Sequence, residues 1–298
     1  MGKKSIRLAA WREEYLHLVG LRQLEEGTRT EKARCSEALC AGIGRKKLRK
    51  IRPVHIAEII RAVWGTGQQS RARRILVVAR DMFAEAVGAG YLEKNPATFV
   101  KPLPYRIRRA RLSMRYWRRT QAILSAETVA WRRLFAVLAL ITGQRRSDLA
   151  KMRFDDVWGG CLHVEQAKTG ARIAIPLDLY LRPLRLTLGD VIEQCRAYAP
   201  SGETLLRKGN GAALTAYSLT KAFQGAFAQA VKWERDDRTV PCLAEIRSLA
   251  ERLYSAQGID TQTLLGHKNR ATTAIYHDDR GLSKEEGRWR KLKIRRRH

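Results

Sequence analysis

The stretch WRRLFAVLALIT (131–142) is almost entirely apolar after its two arginines, which predicts a helix that leads through Gly143 into the next segment. Two short segments with β-strand patterns follow, CLHVEQ (161–166) and ARIAIP (171–176). The turn sequence KTG (168–170) lies between them, so together they predict a β-hairpin. An apolar helix followed by one hairpin indicates a domain with small β elements among helices.

Helical patterns extend from this stretch toward both ends of the chain. Toward the C-terminus they cover residues 188–198, 216–231, 243–255 and 261–267. Toward the N-terminus they cover residues 9–19, 28–41, 54–63 and 70–87. The predicted fold class is therefore mainly α with small β elements (α+β). We expect a helical N-terminal domain (1–100), a basic interdomain linker (101–112) and a mixed α/β domain with a C-terminal tail (113–298).

The charge of the chain points to a polyanionic partner. Its 298 residues include 58 Lys and Arg against 29 Asp and Glu, which gives a formal net charge of +29. Such a charge repels itself unless it is neutralised, and nucleic acid is the natural partner. No apolar run reaches the ~20 residues of a membrane span. Charges interrupt every apolar stretch at the N-terminus, so we expect a cytoplasmic protein without a secretory signal.

Neither metal nor cofactor is expected. The five cysteines are scattered, without a CxxC pair or a cysteine–histidine grouping at zinc-ligand spacing, so we expect reduced thiols. The nearest carboxylate pairs, Asp155-Asp156 and Asp278-Asp279, are adjacent residues that would point in different directions. They do not form the cluster that a two-metal nuclease needs.

Two basic segments are candidates for binding DNA phosphates. GRKKLRKIR (44–52) has six basic residues and no acidic one, and KPLPYRIRRARLSMRYWRR (101–119) has basic residues throughout and likewise no acidic one. A basic linker between two basic domains could let them clamp a duplex from opposite sides. A solvent-exposed charged face is the alternative interpretation. The DNA-binding candidates are Arg45, Lys46, Lys47, Arg49, Lys50, Arg106, Arg108, Arg109 and Arg111.

Four segments of the second half resemble, in order, the motifs of tyrosine recombinases of the phage integrase family. They are TGQRRSDL (142–149), EQAKTGARIAIP (165–176), AEIRSLAERLY (244–254) and LLGHKNRATTAIYHDDRG (264–281). Each motif alone is weak, but four in order are specific. The wording of the last two is closest to lambda-type integrases, whose additional small arm-binding domain is expected to be missing here.

The resemblance assigns five catalytic residues. Tyr276 would attack the DNA phosphorus and form a 3′-phosphotyrosine, which a 5′ hydroxyl can reseal without ATP. Arg145 and Arg247 would bind the scissile phosphate, because guanidinium groups stay charged and fit two oxygens at once. Lys168 would protonate the leaving 5′ oxygen. His267 would hydrogen-bond the phosphate or help to place Tyr276.

Three further residues bear on catalysis. Asp148 follows Arg145 by one helical turn, where it could orient the guanidinium. Ala244 stands where the family normally has a histidine, three residues before Arg247, and alanine can neither donate a hydrogen bond nor exchange a proton. The enzyme could be slower but active, His277 could substitute, or cleavage could be lost while DNA binding remains. We expect that activity is retained.

Three functions remain open from the sequence alone. The first is a site-specific recombinase of a phage or other mobile element, acting as a homotetramer on DNA, with accessory DNA-bending proteins a further expectation. Its tail (287–298) could contact a neighbouring protomer or DNA. The second is a type IB topoisomerase, which uses similar residues, although the spacing from LLGH to Tyr276 favours a recombinase. The third is a cleavage-defective, sequence-specific DNA-binding protein, which Ala244 suggests.

Overall fold

The chain divides into two compact units, and their boundary lies inside the segment predicted as a linker. The computed structural model describes residues 5–105, 107–198, 201–234 and 238–277. The first unit comprises residues 1–107 and the second residues 108–298. The last five residues of the predicted linker, 108–112, therefore belong to the second unit.

Among its described residues, the first unit is a bundle of four helices. They are α1 (Leu8–Leu21), α2 (Glu26–Ile43), α3 (Pro53–Gly65) and α4 (Gln69–Gly88). Short 3₁₀ turns at Leu48–Lys50 and Pro96–Phe99 complete the unit. All four predicted helices are confirmed, and their observed ends lie within two residues of the predicted ones. The apolar stripe of α4, which includes the fully buried Phe83, packs into the core of the bundle.

A cluster of hydrogen-bonded polar and charged side chains connects three helices of this bundle. Asp81 on α4 accepts hydrogen bonds from the hydroxyl of Tyr15 and from Lys32 Nζ, each at 2.6 Å. Arg22, just after α1, donates to both oxygens of the same carboxylate at 3.1 Å. Because the carboxylate is shared between α1 and α2, these bonds fix the two helices against α4.

The second unit contains eight helices and five short strands among its described residues. The helices are α5 (Met114–Ala126), α6 (Ala130–Thr142), α7 (Arg146–Leu149), α8 (Leu188–Ala197), α9 (Ala216–Ala230), α10 (Glu245–Ser255), α11 (Thr261–Leu264) and α12 (Arg270–His277). The strands are β1 (Val157–Trp158), β2 (Cys161–Glu165), β3 (Arg172–Pro176), β4 (Tyr180–Leu181) and β5 (Leu186–Thr187). The predicted α+β fold class is confirmed. In the described part of the chain, no helix is long and apolar enough to cross a membrane.

The predicted helix and hairpin are both present, and both contribute side chains to the core of the second unit. Strands β1, β2 and β3 make an antiparallel sheet in that order. In the β2–β3 register Leu162 lies opposite Ile175 and Val164 opposite Ile173, and all four side chains are buried. These residues share one face because side chains alternate along a strand. The hairpin therefore packs one face into the core that surrounds α6.

Capping residues explain where two helices of this unit begin. Ser113 Oγ accepts a hydrogen bond from the backbone N–H of Tyr116 at 3.2 Å, so α5 begins directly after the basic segment. At the start of α8, Thr187 and Asp190 form a reciprocal capping box. Each cap satisfies N–H groups that the first helical turn leaves without an internal partner.

The end of the chain differs from the sequence prediction. A helix was predicted over 261–267, but α11 ends at Leu264 and Gly266 then turns the chain with a φ of +59°. A second helix, α12, follows and was not predicted. Its polar and β-branched residues give a weak helical pattern, and its start depends on Asn269, whose side chain accepts from Ala271 N at 2.8 Å. The predicted tail lies outside the described residues.

Gly143 is required for both its conformation and its space. Its φ is +64°, and a Cβ added there would lie 3.0 Å from Leu265 Cδ2. Gly170 in the hairpin has the same φ of +64° but nothing within 4 Å of an added Cβ. Comparing substitutions at the two glycines therefore separates the cost of backbone strain from the cost of the steric contact.

We expect Gly143→Ala to lower the free energy of unfolding by about 1–3 kcal/mol, measured by urea denaturation. Gly170→Ala is the matched control, because it introduces the same strained φ without the contact to Leu265. A loss at Gly143 no larger than the loss at Gly170 would show that the contact with Leu265 does not matter.

Candidate active site

The first predicted arginine is held against the hairpin. Arg145 lies between the Gly143 turn and α7, and its side chain is half-buried. Its Nη1 donates to Oε1 of Gln166 at 2.5 Å. Gln166 follows β2 directly and is fully buried, so its amide is a fixed acceptor. The guanidinium of Arg145 is thereby attached to the hairpin that carries Lys168.

Two buried amides connect three of the four motifs. Gln166 Nε2 donates to Gln144 Oε1 at 2.7 Å and to the carbonyl of Leu265 at 3.0 Å. Gln144 Nε2 in turn donates to the carbonyl of Leu264 at 2.8 Å. Buried amides need partners for both oxygen and nitrogen: Gln166 donates to the oxygen of Gln144, and the oxygen of Gln166 accepts from Arg145 and Thr169. The network fixes the TGQR turn and the hairpin against the LLGH segment.

Lys168 lies at the exposed tip of the hairpin. Thr169 Oγ1 donates to Gln166 Oε1 at 2.9 Å, and the N–H of Gly170 donates to the Gln166 carbonyl at 2.8 Å. The turn is therefore anchored at its base, while the lysine side chain is exposed. A cation at a fixed turn that points into solvent can reach a large substrate.

Asp148 supports the lysine turn and not the guanidinium of Arg145. Its carboxylate is buried, and Oδ1 accepts from the N–H of Ala167 at 3.1 Å and from Ser147 Oγ at 3.2 Å. Within the described residues Oδ2 has no hydrogen-bond partner. The expectation that Asp148 orients Arg145 is therefore corrected, because its observed contact fixes the residue before Lys168.

The second predicted arginine is buried and bonded to backbone carbonyls. Arg247 on α10 has only 4% of its surface exposed. Its Nη1 donates to the Gly143 carbonyl at 2.8 Å, and its Nη2 donates to the Leu265 carbonyl at 2.5 Å. The Leu265 carbonyl also accepts from Gln166, which is bonded to Arg145. The two arginines are therefore linked through one amide and one carbonyl.

His267 connects Arg247 to α12. Its Nε2 lies 3.1 Å from Arg247 Nη2, and its Nδ1 lies 2.9 Å from Thr273 Oγ1. A guanidinium can only donate, so Nε2 is the acceptor and the neutral ring carries its hydrogen on Nδ1. Burial and the positive charges of Arg247 and Arg145 lower the pKa of His267 from 6.5 to about 4. The imidazole is therefore neutral at physiological pH.

The predicted nucleophile lies on α12, close to this contact in sequence. Tyr276 follows Thr273 by three residues, which is about one helical turn. The side chains of Tyr276 and His277 lie outside the described part of the structure. The contact of His267 with Thr273 therefore bonds the helix that carries the tyrosine to Arg247.

Ala244 is exposed directly before the first residue of α10. The contacts of Arg247 go to Gly143, Leu265 and His267, and none involves the side chain at position 244. The absence of a histidine at this position therefore leaves these contacts of the second arginine intact.

The basic candidates of the first unit are exposed around a fixed backbone. Arg45, Lys46, Lys47, Arg49 and Lys50 are exposed on both sides of the buried Leu48. The N–H of Leu48 donates to the carbonyl of residue 6 at 2.9 Å, which fixes this turn to the start of α1. The arrangement presents a row of cations on a fixed backbone.

The DNA-binding candidates in the predicted linker differ in their exposure to solvent. Arg108 and Arg109 are exposed, and Arg106 lies outside the described residues. Arg111 is 3% exposed and forms an ion pair with Glu245 at 3.0 Å. The expectation that Arg111 contacts DNA is corrected, because its guanidinium is inside the second unit.

The structure brings together residues that the sequence reasoning missed. Gln144, Gln166 and Thr273 were not predicted as site residues. Gln166 could have been found, because it continues the inward-facing alternation of Leu162 and Val164 and is the polar member of that face. Among the described residues, no group of three or more His, Cys, Asp or Glu could hold a metal ion.

Comparison with known families matches both units. The phage integrase family matches residues 118–281, and the phage integrase central domain matches residues 11–102. The chain belongs to the phage integrase family. It is 38% identical over 298 residues to the integrase of Enterobacteria phage P21, covering 94% of this chain and 77% of that protein. It is 30% identical to the integrase of Escherichia phage lambda, with coverage of 98% and 80%.

Solved structures of lambda integrase match nearly the whole length of this chain. A lambda integrase dimer bound to a COC′ core site has a TM-score of 0.88 at 29% identity, covering 98% of this chain and 81% of that chain. A lambda integrase tetramer bound to a Holliday junction has a TM-score of 0.89 at 28% identity, covering 99% and 82%. The chain is a site-specific DNA recombinase of the tyrosine class. The matched proteins support neither a type IB topoisomerase nor a cleavage-defective DNA-binding protein.

We expect the stability of this recombinase to fall as the pH drops from about 6.5 to about 4. In that range the unfolded state binds a proton at position 267 and the folded state does not, so acidification favours unfolding. Thermal unfolding from pH 7 to pH 4 should show a smaller loss for His267→Gln than for the unaltered chain. An imidazole resonance of His267 that titrates near 6.5 by NMR would contradict the argument.

Proposed function

We propose that Tyr276 is the nucleophile and that Arg145 and Arg247 bind the scissile phosphate during strand cleavage. The tyrosine hydroxyl releases its proton to solvent as its oxygen attacks phosphorus, the bond from phosphorus to the 5′ oxygen breaks, and Lys168 donates a proton to the leaving oxygen. The product is a 3′-phosphotyrosine and a 5′ hydroxyl. A second 5′ hydroxyl then attacks this intermediate and reseals the strand, so no ATP is consumed.

The observation that carries this proposal is the linkage of both arginines to the nucleophile helix. Arg145 is held by Gln166, Gln166 and Arg247 share the Leu265 carbonyl, and His267 connects Arg247 to α12. Cations fixed before the substrate binds stabilise the charge of a pentavalent phosphate without reorganisation. This supports a site built for phosphoryl transfer.

His267 acts in this proposal by placing the nucleophile helix. Its Nε2 accepts from Arg247 and its Nδ1 donates to Thr273, so both ring nitrogens are engaged within the protein. Of the two roles expected from the sequence, this supports the placement of Tyr276 over a direct hydrogen bond to the phosphate.

The substrate we propose is double-stranded DNA at a specific core site. The exposed residues Arg45, Lys46, Lys47, Arg49 and Lys50 would contact phosphates from the first unit, and Arg108 and Arg109 from the second. By likeness to the lambda integrase complexes, four protomers would act on two duplexes. Accessory DNA-bending proteins and a bacterial cytoplasmic location complete the proposal, which fits the integration or excision of a phage or mobile element.

The test is a covalent adduct that depends on Tyr276. Duplexes selected by binding from a random-sequence pool are nicked near the recognised site, and the protein–DNA species that survives denaturant is quantified. We expect Tyr276→Phe to reduce this adduct by ~1000-fold or more with little change in DNA affinity. Tyr217→Phe is the matched control, because Tyr217 is 66% exposed on α9. An adduct that persists in Tyr276→Phe would refute the assignment.

Ala244→His should increase the rate of adduct formation by about tenfold or more, because an imidazole at the start of α10 can donate a hydrogen bond and exchange a proton. Ala244→Gln separates these effects, since an amide can donate but cannot exchange a proton. Single-turnover cleavage at saturating DNA measures both. An adduct that forms only with Ala244→His would mean that the unaltered chain binds DNA without cleaving it.

A further inference from the structure

Arg111 is buried in the second unit by the backbone around it. The N–H of Thr239 donates to the Arg108 carbonyl at 2.9 Å, and the N–H of Ala110 donates to the Thr239 carbonyl at 3.0 Å. Leu112, the next residue, is fully buried in the core of the second unit. The chain is thus fixed on both sides of Arg111, whose side chain points away from solvent.

The guanidinium of Arg111 contacts two elements of the active site. Its Nη1 donates to Glu245 Oε2 at 3.0 Å, and its Nη2 donates to the backbone carbonyl of Ile275. Glu245 is in the first turn of α10, two residues before Arg247. Ile275 directly precedes Tyr276. One side chain therefore joins the helix of the second arginine to the residue beside the nucleophile.

The position of Ile275 at the end of α12 determines what this contact fixes. Ile275 lies in the last turn of α12, where carbonyl groups have no partner within the helix. A positive charge there also complements the negative end of the helix dipole. The peptide unit is planar, so fixing the Ile275 carbonyl fixes the plane that contains the backbone nitrogen of Tyr276.

Stability alone does not explain a buried ion pair at this place. Glu245 is only 5% exposed, so both charges are largely removed from water. Replacing such a pair by apolar residues of similar size is often neutral or stabilising, because desolvation offsets the attraction. An apolar pair, however, could not hold the Ile275 carbonyl.

We propose that Arg111 is a positioning residue that holds the end of α12, and with it Tyr276, in register with Arg247. The proposal rests on the covalent mechanism proposed above and adds a residue that does not touch the DNA. Arg111 acts through the peptide bond that precedes the nucleophile and through Glu245 at the start of α10.

The first test is single-turnover adduct formation at saturating DNA. Arg111→Met should slow it by at least about tenfold, with less than about a twofold change in Kd for DNA. Arg111→Lys, which keeps one charge but loses the fork, should recover part of the rate. Arg196→Met is the matched control, an exposed arginine on α8 of the same unit, and should behave like the unaltered chain.

A double variant separates positioning from stability. Arg111→Met leaves a buried carboxylate without its arginine, and this could destabilise the whole unit. In Arg111→Met/Glu245→Gln that charge is removed. We expect the double variant to recover the Tm of the unaltered chain while adduct formation stays slow, since the Ile275 carbonyl remains without its donor. Recovery of the full rate together with Tm would overturn the proposal.

Hydrogen exchange gives a readout that needs no chemistry. Both variants should increase amide exchange in residues 270–277 relative to α6, measured by mass spectrometry on the DNA-bound protein. A uniform increase across the unit, or none in α12, would overturn the proposal. If the unaltered chain forms no adduct, the covalent mechanism fails, whereas the exchange of α12 still decides whether Arg111 holds this helix.

Discussion

The guanidinium of Arg247 donates to the carbonyl oxygens of Gly143 and Leu265, and the rest of the active site depends on these two bonds. Each carbonyl belongs to a different motif, so one side chain brings three distant segments together. Gly143 must adopt a positive φ for its carbonyl to lie there, and its missing Cβ makes room for Leu265. The backbone thus shapes the site before any catalytic side chain is considered.

Neutral groups accept hydrogen bonds from both arginines of this site. Two arginines would repel each other strongly in a buried site, yet backbone carbonyls, the Gln166 amide and a neutral imidazole accept their N–H groups. Dipoles orient a guanidinium without cancelling its charge, so the positive potential remains available for a phosphate. A carboxylate on each arginine would orient it equally well but would weaken the attraction for an anionic substrate. Burial lowers the pKa of His267, and the positive charges of Arg247 and Arg145 lower it further.

The sequence predicted the elements of this fold better than the contacts between them. The four helices of the first unit and the β2–β3 hairpin follow from local periodicity, which reflects burial of one face. Arg111 looked like a DNA contact because the segment 101–119 around it is rich in basic residues and has no acidic one. Its burial is set by Glu245 and by the Ile275 carbonyl, 134 and 164 residues away in sequence. No local pattern encodes such partners, whereas α12 was missed because its own polar and β-branched residues give a weak helical pattern.

The alanine at position 244 lies outside the hydrogen bonds that hold the catalytic residues in place. Ala244 is exposed, and no contact that fixes Arg247 uses its side chain. An alanine there leaves the described contacts of the arginines, the hairpin and α12 in place. Removing one catalytic group that acts through its own contact lowers the reaction rate by the factor which that group contributes. Removing the hydrogen bonds that position the catalytic groups would affect all of these groups together. The geometry is therefore consistent with a slower recombinase.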